Sequence, residues 1–455
     1  MEENKTSGAK KDLIYQLDGI PPIPVAVPLG LQHILAMFTS NLAPCLILAG
    51  IVGLDGPDRI IMVQCAMFVS GITTFFQLYP IPLFGKKSGL PRIGAELPIV
   101  MGTSFAFVPT SITVAKMYGL PGVLGGALVG SLVEIAMSFF IKPLKKYFPP
   151  LVIGAVSIAF GVSLLKAGTN YFLGGVGKPD FGSVENISLG LSVFATVVIC
   201  QRFGKGIFKV SAILMGIIVG YVVAFFMGKL NFALLSSANW FSVPIPFRFS
   251  YEFHLDAILM FSALYIVSGL ETIGNTSGIT VAVFDRDATT KEMSGAVLAD
   301  SLGSMIATVF NTLPNTAFGQ NAGLVAMTKV INKFCIATGA TVLVVAGFIP
   351  KIGAIFSLMP DSVLGGAVLS VFAMITVNGI KLVTKSGFSQ RNVTTLSTIL
   401  AIGMGLAGMP EGTYKEMPVA IQYLFKDSVA ATCIIGIIIN AIFPADKVEE
   451  AVIEV

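Results

Sequence analysis

Two short stretches, Thr103-Ser104-Phe105-Ala106-Phe107 and Thr316-Ala317-Phe318-Gly319-Gln320, lie 213 residues apart and interrupt two otherwise apolar segments. A second pair of similar stretches follows in the same order, at an offset of 211 residues. In this pair Val152-Ile153-Gly154 comes after a proline, and so does Val363-Leu364-Gly365. The shared order and the nearly constant offset predict that the two halves of the chain are structural repeats.

The composition predicts a protein that lies within a lipid bilayer. Hydrophobic residues make up 54% of the 455 residues and charged residues 12%, and the mean hydropathy is +0.84. Soluble proteins carry about 25% charged residues, roughly twice the fraction seen here. The net charge is only +4 and the basic residues are scattered, so no nucleic-acid partner is indicated.

Fourteen apolar segments approach the length of about 20 residues that a helix needs to cross a bilayer. The first seven are residues 26–48, 59–80, 96–115, 120–141, 149–168, 187–201 and 210–228. The second seven are residues 256–275, 294–311, 314–328, 334–350, 361–380, 393–409 and 427–444. We therefore expect an all-α, polytopic membrane protein with fourteen spans.

The basic residues predict the orientation of these spans. With a cytoplasmic N-terminus, roughly two thirds of the 29 Lys and Arg residues fall on the inner side, as the positive-inside rule expects. Three inner loops carry Lys86, Lys87 and Arg92; Lys142, Lys145 and Lys146; and Arg202, Lys205 and Lys209. Residues 1–25 and 445–455 are then cytoplasmic segments, and the protein lies in the plasma (inner) membrane.

Seven is an odd number of spans, so two repeats of seven would have opposite orientations in the bilayer. Inverted repeats are typical of secondary transporters, whose substrate sites lie near the midplane where broken helices meet. Spans three and ten are both short and interrupted, and they occupy equivalent places in the two halves. The sequence therefore predicts a substrate site between these two spans.

Several polar residues lie at membrane depth, where a charged side chain costs about 2.5 to 3.5 kcal/mol on insertion scales. Glu271 lies late in span eight, and its carboxylate is a candidate substrate ligand or proton carrier, with Asn275 on the same helical face. Asp300 in span nine fits a proton relay and a packing role equally well. His33, which follows Gln32 in span one, is a candidate for a functional role.

Two further acidic residues and a pair of carboxamides complete the set. We expect Glu96 to lie at the membrane interface and Glu134 to have a structural role, although the sequence does not decide the role of Glu134. Gln320 and Asn321 begin an apolar half-helix, and their side chains suit a planar, neutral ligand with N–H and C=O groups. Capping of the half-helix by Asn321 is an alternative that can coexist with binding.

The pattern Gln320-Asn321-x-Gly323-x4-Thr328-Lys329 resembles the signature motif of the nucleobase–ascorbate transporter family, also called nucleobase:cation symporter-2. Other stretches that resemble the family follow in the family's order over roughly residues 25–445. They are Gln32-His33, Thr103-Ser104-Phe105, Glu271-x-x-Gly274 and Ala299-Asp300. One position departs from the pattern, because many members carry Asp where this chain has Asn275, and this puts the coupling stoichiometry in doubt.

The resemblance implies a core domain and a gate domain, each assembled from two parts of the chain. Spans one to four (26–141) and eight to eleven (256–350) would form the core, and spans five to seven (149–228) and twelve to fourteen (361–444) the gate. Short extended segments would lie in spans three and ten and end near Phe105 and Gln320. Members often work as homodimers.

The resemblance also implies the roles of the site residues. Glu271 would hold ring N–H groups of a nucleobase, Gln320 would read the edge of the base and Asn321 would support it. Ser104, Phe105 and Phe318 complete the predicted substrate site. His33, Gln32, Asp300 and Asn275 would be polar supports or part of the proton pathway. Gln at position 320 is typical of xanthine and urate carriers, whereas uracil carriers tend to have Glu there.

The sequence thus predicts a purine importer driven by proton symport, with xanthine the first and urate the second choice of substrate. A uracil carrier, sodium coupling, an anion carrier of the related sulfate-permease fold and a channel remain alternatives. An intramembrane enzyme is disfavoured, because the chain lacks the H-E-x-x-H and G-x-S-x-G motifs. We expect no cofactor and no metal. The five cysteines show neither metal-ligand spacing nor a disulfide framework.

Overall fold

The computed structural model describes residues 12–83, 91–141, 149–407, 413 and 428–443. Several predicted features lie outside the described residues: the start of the N-terminal segment, the loop residues Lys86, Lys87, Lys142, Lys145 and Lys146, and the C-terminal segment 445–455.

In the first half of the chain, most helices lie in the predicted segments. After a 3-10 turn at Asp12–Tyr15, the elements are α1 (Ile23–Ile51), α2 (Gly56–Leu78), β1 (Ile81–Pro82), β2 (Arg92–Ile93), β3 (Met101–Thr103), a 3-10 turn at Phe105–Phe107, α3 (Val108–Phe139), α4 (Pro150–Phe172), α5 (Val184–Phe203), α6 (Ile207–Val210), α7 (Ala212–Phe226) and α8 (Ala233–Ser237).

The second half follows the same plan, with a short strand before a half-helix. Its elements are α9 (Leu255–Phe284), α10 (Thr290–Val309), β4 (Asn315–Ala317), α11 (Gly319–Thr328), α12 (Lys333–Ala346), α13 (Pro350–Ser357), α14 (Asp361–Lys385), α15 (Gln390–Ala407) and α16 (Ser428–Ile442).

The structure is a helical, polytopic membrane fold. Within the described residues seven segments are long and apolar enough to cross a bilayer: α1, α2, Phe105–Phe139, α4, α5, α9 and α14. An eighth is added if α12 and α13, which are bent by 82° relative to each other, form one span. The shorter helices α7 and α16 are also apolar. The number of fourteen spans therefore stays a prediction.

Several observed helix ends differ from the predicted ones. Spans three and four meet in the single helix α3, which is kinked at Gly119, where the backbone has φ 68°. Span eight, predicted to end at residue 275, continues to Phe284 because no proline interrupts residues 276–284, and it ends at left-handed Asp285. Span eleven ends at Ala346, before the bend into α13.

The extended segments predicted in spans three and ten are present, and they pair with each other. β3 and β4 are antiparallel, with Met101 opposite Ala317, Gly102 opposite Thr316 and Thr103 opposite Asn315. Residues 102 and 103 correspond to 315 and 316 at the offset of 213, so each pair maps onto the other when the two halves are exchanged. This register is the one expected for two strands related by a twofold axis.

The helices pack into two groups. The first consists of α1–α3, α9–α13, β3 and β4, and the second of α4, α5, α7 and α14–α16. Glycines allow close backbone approach inside each group. A Cβ atom at Gly30 of α1 would lie 2.2 Å from the Cys335 carbonyl oxygen of α12. A Cβ atom at Gly154 of α4 would lie 2.8 Å from the Gly379 carbonyl oxygen of α14.

Candidate functional site

Buried side chains on α1 and α2 hold β3 in place. The Asn41 side-chain oxygen accepts hydrogen bonds from the Thr103 backbone N–H and the Ser70 hydroxyl, both at 2.7 Å. The Thr74 hydroxyl oxygen accepts a bond of 3.0 Å from the Met101 N–H. A strand of three residues inside a helical protein leaves backbone groups without intra-helical partners, and these side chains satisfy them.

A different set of side chains holds β4. The Ser304 hydroxyl of α10 accepts from the Asn315 N–H at 3.0 Å and donates to the Asn315 carbonyl oxygen at 2.9 Å. The Asn315 side-chain amide donates to the Thr73 hydroxyl at 3.0 Å. Both strands are therefore fixed by helices α1, α2 and α10 of the same helix group.

A helical segment begins directly after each strand. The Ser104 hydroxyl accepts a 3.2 Å hydrogen bond from the Ala106 N–H and so caps the turn that leads into α3. The Phe318 N–H donates to the Val100 carbonyl oxygen at 2.9 Å, and α11 begins at the next residue. Because the N-terminus of a helix carries a partial positive charge, these two starts provide N–H groups near the strand pair.

Two aromatic side chains flank the starts of these helical segments. Phe105 and Phe318 are both buried. The ring of Phe105 makes an edge-to-face contact with Phe372 of α14, with 5.3 Å between the centroids, so Phe105 touches the second helix group. Phe318 lies against β3, since a Cβ atom at Gly102 would be 2.4 Å from its ring.

Asn321 joins α11 to α1. Its side-chain amide donates to the His33 carbonyl oxygen at 2.8 Å and lies 3.3 Å from His33 Nδ1. Both residues are buried, and the Asn321 side-chain oxygen has no hydrogen-bond partner. The neighbouring Gln320 is half-buried, as is Gln32 on α1. His33 therefore acts as a support for Asn321, and Gln320 is left accessible.

Glu271 lies beside this half-helix. One helical turn later, the Asn275 amide donates to the Ala317 carbonyl oxygen at 2.8 Å, which joins α9 to β4. Glu271 is half-buried, and no hydrogen bond to its carboxylate is found among the described residues. No atom lies within 4 Å of a Cβ placed at Gly274, Gly278 or Gly323. These glycines share helix faces with Glu271 and Gln320, and we call the open space next to them the crevice.

A second pair of acidic residues lies behind Glu271, inside the first helix group. Asp300 of α10 accepts hydrogen bonds from the hydroxyls of Thr272 and, at 3.5 Å, Ser268, both on α9. Glu134 of α3 is fully buried next to Asp300, and neither oxygen of its carboxylate has a hydrogen-bond partner among the described residues.

The structure thus brings most of the predicted site residues to one place around the β3–β4 pair. Glu271, Asn275, Phe318, Gln320 and Asn321 lie along the contact of α9, β4 and α11. Ser104 and Phe105 begin the other half-helix, and Asp300 lies one layer behind the crevice. The structural role expected for Glu134 stays a prediction, and its burial at membrane depth beside Asp300 is also compatible with a functional one.

Solved structures share the fold at low sequence identity. The transmembrane domain of the cyanobacterial bicarbonate transporter BicA matches with a TM-score of 0.54 and 14% identity, over 90% of this chain and 96% of that one. The murine anion transporter Slc26a9, in its inward-facing state, matches with a TM-score of 0.63 and 11% identity, over 94% of this chain and 69% of that one.

Curated relatives are more similar and are matched over nearly their whole length. A xanthine permease of Bacillus subtilis is 32% identical over 93% of this chain and 95% of its own. A uric acid permease of the same organism is 31% identical over 93% and 96%. A xanthine permease of Escherichia coli is 30% identical over 98% and 97%.

The family comparison agrees with the motifs in the site. Residues 25–412 match the model of the Permease family (Xan_ur_permease), and this range contains every residue of the crevice. The relatives are permeases, so the chain is a transporter and not an enzyme. The chain is a member of this Permease family, the nucleobase–ascorbate transporter family.

Proposed function

We propose that the protein imports a purine nucleobase by proton symport, with xanthine as the first choice of substrate and urate as the second. The relatives named as xanthine and uric acid permeases support the purine class. The half-buried Gln320 supports the choice of an oxidised purine, because a carboxamide offers both a donor and an acceptor to the edge of such a base.

The observation that carries this proposal is the joining of α9 to β4 by the Asn275–Ala317 hydrogen bond. It places Glu271 beside the start of α11 while leaving its carboxylate without a described partner. In our proposal Glu271 accepts hydrogen bonds from ring N–H groups, Gln320 pairs with the base edge and Phe105 and Phe318 flank the ring. A carboxylate that finds its donors only in the ligand also rejects ligands that lack them.

Transport requires the crevice to open alternately to the two sides of the membrane. We propose that the first helix group is the core domain and the second the gate domain, and that they form two inverted seven-span repeats. The register of β3 and β4 and the packing of helices within each group support this division. We also propose a homodimer with cytoplasmic termini in the plasma membrane.

Coupling is needed because an inside-negative membrane potential drives the accumulation of neither a neutral base nor an anionic one. We propose Glu271 as the group that binds the co-transported proton with the substrate. Asp300, connected to α9 through Thr272, would be a polar support or part of the proton pathway behind the site. The carboxamide of Asn275 cannot titrate, so it serves to position α9.

Uracil transport and sodium coupling remain the alternatives that the experiments below separate. An anion carrier is less well supported, although the fold neighbours include bicarbonate and other anion transporters, because identities of 11–14% show the fold alone. In the described part of the chain no Lys or Arg side chain bonds to Glu271, Gln320 or Asn321, and the only ring nitrogen near them is that of His33.

The test of the proposed site is Glu271→Gln, measured as uptake of radiolabelled xanthine into cells. We expect accumulation to be abolished, because the amide neither titrates nor accepts hydrogen bonds as a carboxylate does. Glu252→Gln is the matched control, since that side chain is 55% exposed in a loop before α9, and it should retain uptake. Near-normal accumulation by Glu271→Gln would remove this residue from the site.

The substrate is tested by a competition panel of unlabelled bases at several pH values. Wild-type uptake of xanthine should be inhibited by xanthine and urate more strongly than by uracil. Gln320→Glu should shift this preference toward uracil, because the carboxylate loses the amide donors. An unchanged competition profile would show that Gln320 does not read the base.

A further inference from the structure

A large cavity lies between the two helix groups, at the C-terminal end of α1. Its volume is about 1020 Å³, and its walls come from α1–α3 on one side and from α4 and the start of α14 on the other. The N-terminal end of α1 is remote from this cavity and lies near Asn332, whose side-chain amide donates to carbonyl oxygens in residues 13–19. We call this cavity the vestibule.

Cationic side chains dominate the charge of the vestibule lining that the structure describes. Its described lining contains Arg59, Lys116, Lys166 and Lys178, against the single carboxylate of Asp361. Lys178 and Asp361 form an ion pair of 2.9 Å with each other. Among the described residues no acidic side chain pairs with the other three cations.

The three unpaired cations come from three different helices. Lys116 follows Pro109 and Thr113 at helical spacing on the face of α3 that lines the vestibule, and Lys166 shares a face of α4 with Ser163. Arg59 lies in the first turn of α2, and its buried Nε has no hydrogen-bond partner. No hydrogen bond from the two Nη groups is found among the described residues either, and these groups, which are not among the buried unpartnered atoms, are the donors that a ligand can use.

The vestibule ends close to the substrate site. Pro109 is in its wall, and Phe105 lies one helical turn earlier, about 6 Å along the chain direction of a helix. The edge-to-face contact between Phe105 and Phe372 joins the two helix groups at this level.

We propose that Arg59, Lys116 and Lys166 form a collecting site that binds a purine in its anionic form, of which the urate monoanion is the example, before it reaches Glu271. This inference rests on the proposed function and names the charge state of the substrate. A cleft lined with one sign of charge raises the local concentration and on-rate of an opposite ion by about 10- to 1,000-fold. The planar guanidinium of Arg59 suits a planar anion with adjacent acceptors.

The collecting site also gives proton coupling a chemical reason. An anion that left the vestibule for Glu271 would meet a second negative charge, and the two would repel each other. Protonation of Glu271 removes that repulsion, so the anion and the proton enter the site together. Such a step moves one negative and one positive charge and is electroneutral.

The local charge is measured with a thiol placed in the vestibule. Ser163→Cys is labelled with the anionic reagent methanethiosulfonate ethylsulfonate and with its cationic trimethylammonium counterpart, and the ratio of the rates is compared with that of a free thiol. The protein without Ser163→Cys gives the background. We expect the anionic reagent to be favoured by about tenfold. Adding Lys116→Gln and Lys166→Gln should remove this preference, whereas Lys205→Gln with Lys209→Gln should leave it.

The ligand is identified by protection of the same thiol. Urate should slow the labelling, while uncharged hypoxanthine and inorganic phosphate at the same concentration should not. Equal protection by phosphate, or none by urate, would overturn the proposal, as would a rate ratio equal to that of the free thiol. Labelling of the thiol needs no turnover, so it tests the collecting site separately from transport. If the protein transports no purine, but the anionic reagent is still favoured and urate still protects the thiol, the collecting site is retained and the proposed transport function is rejected.

Discussion

At the scale of single residues, the site depends on buried amides and hydroxyls that bond to backbone groups. Asn41 and Ser304 form hydrogen bonds with backbone groups of β3 and β4, and Asn321 donates to the carbonyl oxygen of His33. Each such group costs about 1–3 kcal/mol when its partner is removed, because no water replaces it. The carboxylate of Glu271, by contrast, accepts no hydrogen bond from the described residues. It is therefore available to accept hydrogen bonds from a ligand.

A residue outside the predicted spans offers a test of local electrostatics. Glu292 precedes span nine, and Thr289 and Glu292 form a capping box at the start of α10. Both oxygens of Glu292 also accept hydrogen bonds from Arg286, at 2.8 and 2.6 Å. Burial acts to raise the pKa of Glu292, but the bonds from Arg286 and Thr289 outweigh it and lower the pKa to about 2.

Glu292→Gln should therefore lower the stability at neutral pH by roughly 1–2 kcal/mol. The pKa of Glu292 lies below the ordinary value of 4.5, so its ionised form stabilises the fold above pH 4.5, and this contribution is lost as the pH falls toward 2. The gap in melting temperature between wild type and variant should shrink at pH 3.5 compared with pH 7. An equal difference in melting temperature at both pH values would contradict this explanation. The control Glu252→Gln should have the melting temperature of the wild type.

At the scale of elements, the short strands β3 and β4 interrupt spans three and ten, so that α3 and α11 begin partway along these spans. β3 and β4 bond to each other and to side chains of α1, α2 and α10, so the starts of α3 and α11 are held at fixed positions. The lack of a side chain at Gly102 leaves room for Phe318, Met37 and Asn41 next to β3.

Gly102→Ala should displace Phe318 without unfolding the protein. The added methyl group would lie 2.4 Å from the Phe318 ring and 2.6 Å from the Met37 methyl group, which are the movable ends of side chains. We expect the KM for xanthine to rise about tenfold, while expression and melting temperature change little. Gly405→Ala is the control, because no atom lies within 4 Å of its Cβ position. An unchanged KM would separate Phe318 from substrate binding.

The sequence could predict those elements that local composition determines. The apolar segments, the interruptions near Phe105 and Gln320 and the polar residues at membrane depth were all visible in it. It could not predict the strand register, the 82° bend between α12 and α13, or the contact of Glu134 with Asp300. These features depend on contacts between residues far apart in the chain, and no single segment encodes them.

At the scale of the whole molecule, a hydrogen bond and an aromatic contact join the two helix groups near the vestibule. The Tyr171 hydroxyl of α4 donates to the Ile47 carbonyl oxygen of α1 at 2.7 Å, and Phe105 touches Phe372. Such contacts stabilise only the conformation in which they form. Their removal should therefore change the balance between the two conformations that transport requires.

Tyr171→Phe should favour the conformation in which the vestibule is open. The lost hydrogen bond is worth about 1 kcal/mol, which corresponds to a population shift of about fivefold. The rate at which an uncharged thiol reagent labels Thr113→Cys should rise by that factor. Tyr251→Phe is the matched control, because the Tyr251 hydroxyl donates to Thr308 of α10 and does not join the two groups. Equal labelling rates in both variants would contradict a closing role for Tyr171.

The most direct test of the central claim is xanthine uptake by the purified protein in sealed liposomes, with an imposed proton gradient and no sodium. The proposed function predicts that xanthine accumulates above its external concentration, that an uncoupler abolishes the accumulation and that Glu271→Gln does not accumulate it. Liposomes that accumulate neither xanthine nor urate under a proton gradient, or that do so only when sodium is added, would contradict it.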